Sequence, residues 1–447
     1  MLEVFLKKGK EKSLLRRHPW VYDTAVGRVA GKPGVGETVR VLASDGRFLG
    51  FGAYSPSSTL RVRMWAFDEK APVESPAFFK DKLAAAVRAR EPLLARTTAR
   101  RLVFGEADGI PGLIVDQYGD WVVTQFQSAG AELHLREIAD DLMDITGAKG
   151  VFDRSDAATR RREGLTVRTG VLAGDAPPEV IEVVEDGVKY GVDVRVGHKT
   201  GFYVDQRESR LAAQKLAAAF LKETGRPMRA LNCFCYTGGF SLALVKGGAA
   251  HVVSVDSSAE ALAQAKRNAE MNGFSDDRLS WVEDDVFEAL RKMRDAGETF
   301  DLVILDPPKF ASSHFHVERA ARAYKDINLN GLKLLNAGGH LFTFSCSGAI
   351  DPDLFQKIIA GAVIDSGKDV WALERFAAGA DHPLLMTYPE GEYLKGLHLL
   401  VRWRLQKGRA AALYPRHNPR QLFLGEKFFP DDFDEGRQRV IAASFAS

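Results

Sequence analysis

MRALNCFCYTGGFSLAL (228–244), AHVVSVDSS (250–258), LSWVEDDVF (279–287), FDLVILDPPKF (300–310) and HLFTFSCSG (340–348) each carry a short apolar run that ends in a polar cluster. Helix-like sequence separates them. Apolar runs of this length, bounded by turn residues, read as buried strands, and their alternation with helices lays them parallel in one sheet. In an open sheet of that kind ligands bind outside the carboxyl ends of the strands, where these polar clusters fall. The expected fold is therefore α/β, a Rossmann-like mainly parallel sheet built from residues 191–405.

The chain has 447 residues, more than one hydrophobic core supports, so further domains are expected. Hydrophobic residues at 45% and charged residues at 27% exclude disordered and collagen-like classes. A formal net charge of +2 leaves room for a basic face but does not by itself require a polyanion partner. Cys233, Cys235 and Cys346 are too few for a disulfide framework, and the CxC pair has no second metal pair. No metal site is expected, and a reducing compartment is. MLEVFLKKGKEKSLLRRHPW has no apolar core of signal-peptide length, and no run approaches the roughly 20 residues of a membrane span. The expectation is a cytoplasmic protein with no membrane partner.

Outward from the sheet, residues 1–70 alternate in short runs separated by glycine turns, which predicts a small β-module. Its front brings Lys7, Lys8, Lys10, Lys12, Arg16, Arg17 and His18 close to Trp20 and Tyr22, a mixture suited to a phosphate backbone with stacked bases. The stretch GETVRVLASDGRFLGFGAYSPSSTLRVRMW (36–65) resembles a PUA domain, a small RNA-binding β-barrel. Residues 71–190 predict a middle α+β domain: helices over 78–94 and 133–145, and strands over 110–117, 121–127, 150–153 and 181–190. Arg160-Arg161-Arg162 is expected in an exposed loop. GVDVRVGHKTGFYVDQRESR (191–210) is the hinge into the large domain and opens a helix over 206–221. Residues 406–447, rich in proline and aromatics, are expected to pack on the body or on a partner.

Cys235-Tyr236-Thr237-Gly238-Gly239 forms the turn after the first strand, where glycine permits close approach of a ligand to a helix amino terminus. Asp256 ends the second strand, where an acceptor for ribose hydroxyls is needed, with Ser257 beside it. Asp285 ends the third and can receive an adenine amine beside Val286 and Phe287. Either aspartate is also a natural helix cap. GxGxxG is absent, so a dinucleotide reading is weak. Asn232-Cys233-Phe234-Cys235-Tyr236-Thr237-Gly238 resembles a variant of the glycine motif of class I S-adenosylmethionine methyltransferases, with Asn232 in place of the acid and Phe234 and Tyr236 in place of glycines. Gln206 and Asp306 are the candidates to hold the methionine end.

In Asp306-Pro307-Pro308-Lys309-Phe310 two prolines set the turn, so that Asp306 faces the crevice and Phe310 stacks or packs. Cys346 lies between two serines at the end of the fifth strand. One cysteine opposite one acid suits methylation of carbon 5 of a pyrimidine: a thiolate adds at carbon 6, an acid assists at N3, and carbon 5 becomes nucleophilic.

DPPKF with FSCSG, GHKTGFYVDQRESR before them and DHPLLMTYPEGEYLKGL after them, is similar to the PUA-containing large-subunit rRNA (cytosine-C5) methyltransferases. That resemblance covers residues 2–405. It implies S-adenosylmethionine as cofactor, rRNA as partner, Cys346 as nucleophile, Asp306 as the acid, and Asp256 and Asp285 as cofactor contacts. A homodimer is compatible with it. Lys309 stands where related RNA enzymes carry a second cysteine that assists release. Methylation of a purine exocyclic amine, which needs no cysteine, and a non-catalytic RNA-binding assembly factor remain open alternatives.

Overall fold

A computed structural model describes residues 2–156, 158–197, 199–311 and 316–402, and the 406–447 tail lies outside the described residues. The five expected strands are present as β1 (Arg229–Cys233), β2 (His251–Asp256), β3 (Leu279–Glu283), β4 (Phe300–Leu305) and β5 (Leu335–Ser345). Two more, β6 (Val370–Ala377) and β7 (Lys395–Val401), complete a seven-stranded sheet of order β3-β2-β1-β4-β5-β7-β6. The first five are parallel, and β7 pairs antiparallel with both β5 and β6. Every residue of β4 is buried, which explains why its run is continuously apolar rather than alternating.

Helices α1 (Arg207–Thr224), α2 (Gly239–Lys246), α3 (Ala259–Met271), α4 (Val286–Asp295), α5 (Val317–Lys333) and α6 (Pro352–Ser366) connect or flank these strands. Apolar clusters cover both faces of the sheet. Strand order reverses between β1 and β4, which opens a crevice at their carboxyl ends. Register then decides what meets there. Cys233 is level with Leu305, Leu305 with Thr343, and Ser345 with Lys395. Asp306 and Cys346 therefore leave the sheet at the same edge as the turn after β1.

At the amino terminus, six strands pair in the order Trp20–Tyr22, Leu60–Ala66, Phe48–Tyr54, Thr38–Leu42, Glu3–Leu6, Val26–Ala30. A flat sheet would separate its two edges by about 24 Å. Only Asp23–Ala25 joins them, a span of roughly 14 Å at full extension. The sheet must curl, and its interior is filled by Val4, Leu6, Val39, Val41, Val62 and Met64.

The middle region holds a five-stranded sheet, Arg168–Gly174, Gly150–Ser155, Trp121–Phe126, Leu113–Tyr118 and Ala99–Phe104, with a separate hairpin Ile181–Glu185/Val188–Val192. Three expectations change here. The helix expected over 78–94 is Ala77–Ala89 followed by a 3-10 turn at Glu91–Ala95, because Pro92 offers no N–H to continue the ladder. Strand Ala99–Phe104 is hidden in the sequence by Arg100 and Arg101, which are buried because they are paired to Gln117 and Asp116. Arg160 is not in an exposed loop: it is 1% accessible, bonded to Glu132 and to the Phe126 carbonyl, while Arg161 and Arg162 are exposed. No described helix is long and apolar enough to cross a membrane.

Candidate functional site

The turn after β1 keeps left-handed backbone without most of the glycines. Phe234 has φ 58°, Tyr236 φ 49° and Gly238 φ 83°. A side chain in that region costs about 1–2 kcal/mol per residue, so each needs compensation. Tyr236 N–H donates to Asp256 Oδ2 at 2.8 Å, and the Tyr236 ring meets Tyr203 edge-on at 5.4 Å. Phe234 joins Phe310 at 6.3 Å. At Gly238 an added methyl group would press on Trp281 at 3.0 Å and Ala265 at 3.2 Å, which together with the left-handed φ of 83° favours glycine here. Gly239 opens α2, and Thr237 is buried with its carbonyl accepting from Asn268 at 3.0 Å.

Asp256 also accepts from Ser258 N–H through Oδ1 at 2.9 Å, with Ser257 exposed between them. Asp285 caps α4, its Oδ1 accepting from Phe287 and Glu288 N–H at 2.9 and 3.2 Å. Asp285 is thus a helix cap, whereas α3 is capped by Ser258 and Asp256 braces the turns around it; both acids remain accessible to a ligand. Asn232 is different. It is buried inside the sheet–helix layer and donates to Ser241 Oγ at 2.8 Å, so the structure does not bring it to the crevice surface.

At the ends of β4 and β5 the electrostatics are unlike those of β2 and β3. Burial, and then the charge of Asp205, push the Asp306 carboxyl up to about 7, against the pull of Lys199, Gln206 and Arg210. Asp205 is buried too, but Lys199 Nζ at 2.6 Å and the Tyr393 hydroxyl at 2.5 Å more than offset burial and hold it well below the usual carboxylate range. Two neighbouring carboxyls are thereby driven apart, one ionised and one balanced near neutrality, an arrangement typical of acid–base sites. Gln206 is buried against Asp306, with neither amide atom in full hydrogen-bonding geometry.

Burial, Asp306 and Asp205 raise the Cys346 thiol above its ordinary value, and Lys199 opposes them. The flanking serines, visible in the sequence, turn inward. Ser345 Oγ donates to the Tyr324 hydroxyl at 2.9 Å, Ser347 Oγ lies 3.1 Å from the same hydroxyl, and Ala311 N–H reaches Ser347 Oγ at 3.3 Å. Lys395 Nζ donates to the Ser347 and Ile350 carbonyls at 2.9 and 2.7 Å. These bonds pin the Cys346 loop to the segment after the DPPK turn. Phe310 packs among Tyr324, Phe287 and Phe234.

The residues that create this environment were only partly legible. Lys199, Tyr203 and Asp205 lie in the 191–210 stretch, whose density of polar and aromatic side chains was a usable signal. Tyr393 and Lys395 lie in and just before β7, with no such signal. The helix starts at Arg207, and its guanidinium binds Asp381 at 3.0 Å; Thr200 Oγ1 bonds Asp116 at 2.6 Å and Tyr118 at 2.8 Å. The 199–207 stretch is thus tied to the middle sheet.

On the curled sheet, Lys7, Lys8, Lys10, Lys12, Arg16 and Arg17 are exposed, as is Tyr22. His18 and Trp20 are not part of a free face: His18 bonds Glu390 at 3.1 Å, and Trp20 Nε1 donates to Glu106 at 2.8 Å and packs on Tyr388.

Residues 150–380 match the family described as S-adenosylmethionine-dependent methyltransferase, and residues 4–67 match the PUA-like domain. A ribosomal RNA large subunit methyltransferase I from Klebsiella pneumoniae is 47% identical over 393 residues, covering 88% of this chain and 96% of the relative. Its namesake from Photobacterium profundum is 48% identical over 402 residues, covering 89% and 99%. Among solved structures, a putative SAM-dependent methyltransferase from Streptococcus mutans shares the fold with a TM-score of 0.75 at 21% identity, covering 90% of this chain and all of that one. A putative methyltransferase complexed with SAH does so at 0.76 and 22%, with the same coverage.

Proposed function

This chain belongs to the PUA-containing, S-adenosylmethionine-dependent large-subunit rRNA methyltransferase family, and on that premise we propose that it methylates carbon 5 of a cytosine in large-subunit rRNA through a covalent Cys346 adduct. One observation carries the reading: a thiol and a carboxyl balanced near neutrality stand at the ends of two paired strands, β4 and β5, with one ionised carboxylate beside them. Residues 1–70 then serve as the RNA-binding module, 71–190 as the middle domain and 191–405 as the catalytic domain, working in the cytoplasm.

The residues present fit the cofactor. Asp256 and Ser257 would hold the ribose, Asp285 with Phe287 the adenine, and Tyr236–Gly239 with the buried Gln206 amide and Asp306 the methionine end, while Asn232 braces the turn from behind. Bound, S-adenosylmethionine supplies an electrophilic methyl group. The cytosine must leave its stack to reach the strand ends. Cys346 Sγ, as thiolate, forms a bond to carbon 6, and Asp306 donates to N3 so that the displaced electron pair is available at carbon 5. With Cys346 bound at carbon 6 and Asp306 at N3, carbon 5 is nucleophilic toward the methyl group that the cofactor would supply. Loss of the carbon-5 proton to water then expels Cys346 Sγ with its bonding pair, and return of the N3 proton to Asp306 restores the ring. Asp205, held ionised by Lys199 and Tyr393 well below the usual carboxylate range, is too weak a base for that step and instead keeps a fixed negative charge beside Asp306.

RNA carrying 5-fluorocytosine tests this directly, because fluorine cannot leave as the proton does. The wild-type protein should form a gel-stable covalent adduct. Cys346→Ala should form none and lose methyl transfer by at least about a thousandfold. Near-normal turnover by the alanine variant would overturn the covalent route and favour an exocyclic amine.

A further inference from the structure

Lys199 and Tyr393 border the catalytic groups on one side and a cleft of about 670 Å³ on the other. Lys199 Nζ and the Tyr393 hydroxyl both bond Asp205, at 2.6 and 2.5 Å, so the cleft opens beside the carboxylate that neighbours Gln206 and Asp306. Its remaining lining comes largely from the middle sheet: Ile114, Gln125, Gln127, Arg101 and Arg154. The size lies within the 300–1,000 Å³ range, roughly, of small-ligand sites, enough for a nucleotide.

The chemistry of the cleft favours a base over a phosphate. Arg101 is balanced by Asp116 at 2.9 Å and Arg154 by Asp156 at 3.0 Å, and Arg154 also donates to the Val194 and Gly197 carbonyls. Their charges are therefore committed. Gln127 Nε2 donates to Gln125 Oε1 at 3.0 Å, which leaves Gln127 Oε1 and Gln125 Nε2 without partners among the described residues. An acceptor beside a donor, next to the half-buried aliphatic Ile114, complements the hydrogen-bonding edge of an unpaired base.

We infer that this cleft is a subsite for an unpaired nucleotide adjoining the target in the substrate RNA, its base edge read by Gln125 and Gln127. The inference rests on the function proposed above. A target flipped from its stack leaves such a neighbour exposed, and holding it positions the strand over Cys346.

The test compares the wild-type protein with Gln125→Ala/Gln127→Ala on an unmodified large-subunit rRNA transcript, with S-adenosylmethionine affinity measured by calorimetry. The double variant should raise KM for RNA about tenfold, with the effect on KM rather than kcat and cofactor affinity unaltered. Gln125→Glu/Gln127→Glu, which removes the amide donors and adds two negative charges to a site for a polyanion, should raise KM further. A KM within twofold of wild type in both variants would overturn the subsite while leaving the proposed function intact. A wild-type protein that transfers no methyl group to this RNA would overturn both.

Discussion

At the ends of β2 and β3, Asp256 and Asp285 are already engaged by backbone N–H groups, from their own turns and, for Asp256, also from Tyr236 in the turn after β1. At the ends of β4 and β5, Asp306 and Cys346 are desolvated and pushed away from their ordinary titration ranges by groups distant in sequence. The first pair is held by backbone N–H groups of the turns at the strand ends. The second is poised: it holds a proton where solvent would have removed it, and it resists forming the thiolate until something else in the site changes. On the function proposed above, binding and chemistry occupy neighbouring strand ends yet rest on different physics, backbone N–H groups of the strand-end turns on one side and burial with long-range electrostatics on the other.

The comparison breaks most visibly at Asp306. Asp306→Asn should lower kcat about a hundredfold to ten-thousandfold while leaving the Cys346 loop in place. The productive form holds one proton between Asp306 and Cys346. Activity of the wild type should therefore rise as pH passes about 7, where Asp306 titrates, and fall again as the last proton leaves. The asparagine variant should lack the limb near 7. Stability moves the opposite way. The folded pKa of Asp306 lies above its unfolded value, so its contribution falls as pH rises from about 4 to 7. Calorimetric melting should find Asp306→Asn above wild type by about 2–4 °C at pH 8 and level with it at pH 4. A variant that loses activity and stability together at pH 8 would show that the carboxylate is not strained.

Asp256→Ala should weaken S-adenosylmethionine binding about tenfold to a hundredfold, read by calorimetry, with kcat at saturating cofactor changed far less. A kcat loss as large as that of Asp306→Asn would erase the distinction between the two halves. Asp285→Ala should have the smallest effect: loss of the α4 cap, about 1 kcal/mol of stability, seen as a melting shift, with a weaker loss of cofactor affinity than at Asp256.

Both halves were unevenly legible. Strand ends, the glycine turn and the order of acids follow from runs such as 279–287 and 300–310, because period and turn chemistry are local. That Phe234 and Tyr236 would retain the left-handed backbone of glycines was not readable, since the compensation comes from Asp256, Tyr203 and Phe310. Arg160 misled, and Arg100 and Arg101 left strand Ala99–Phe104 unread, for the same reason: a charge reads as surface until its partner is found.

By itself the sequence determined the parallel sheet, the crevice at its carboxyl ends, and which thiol and which acid stand there, because burial patterns and turn residues act over a few positions. Only the tertiary structure decided what those two groups are chemically. Lys199, Asp205, Tyr393 and Lys395 reach the site from the segment before α1 and from the β7 side. A carboxyl balanced near neutrality exists only where burial and a second carboxylate act on it at once, and neither can be read from its neighbours in the chain.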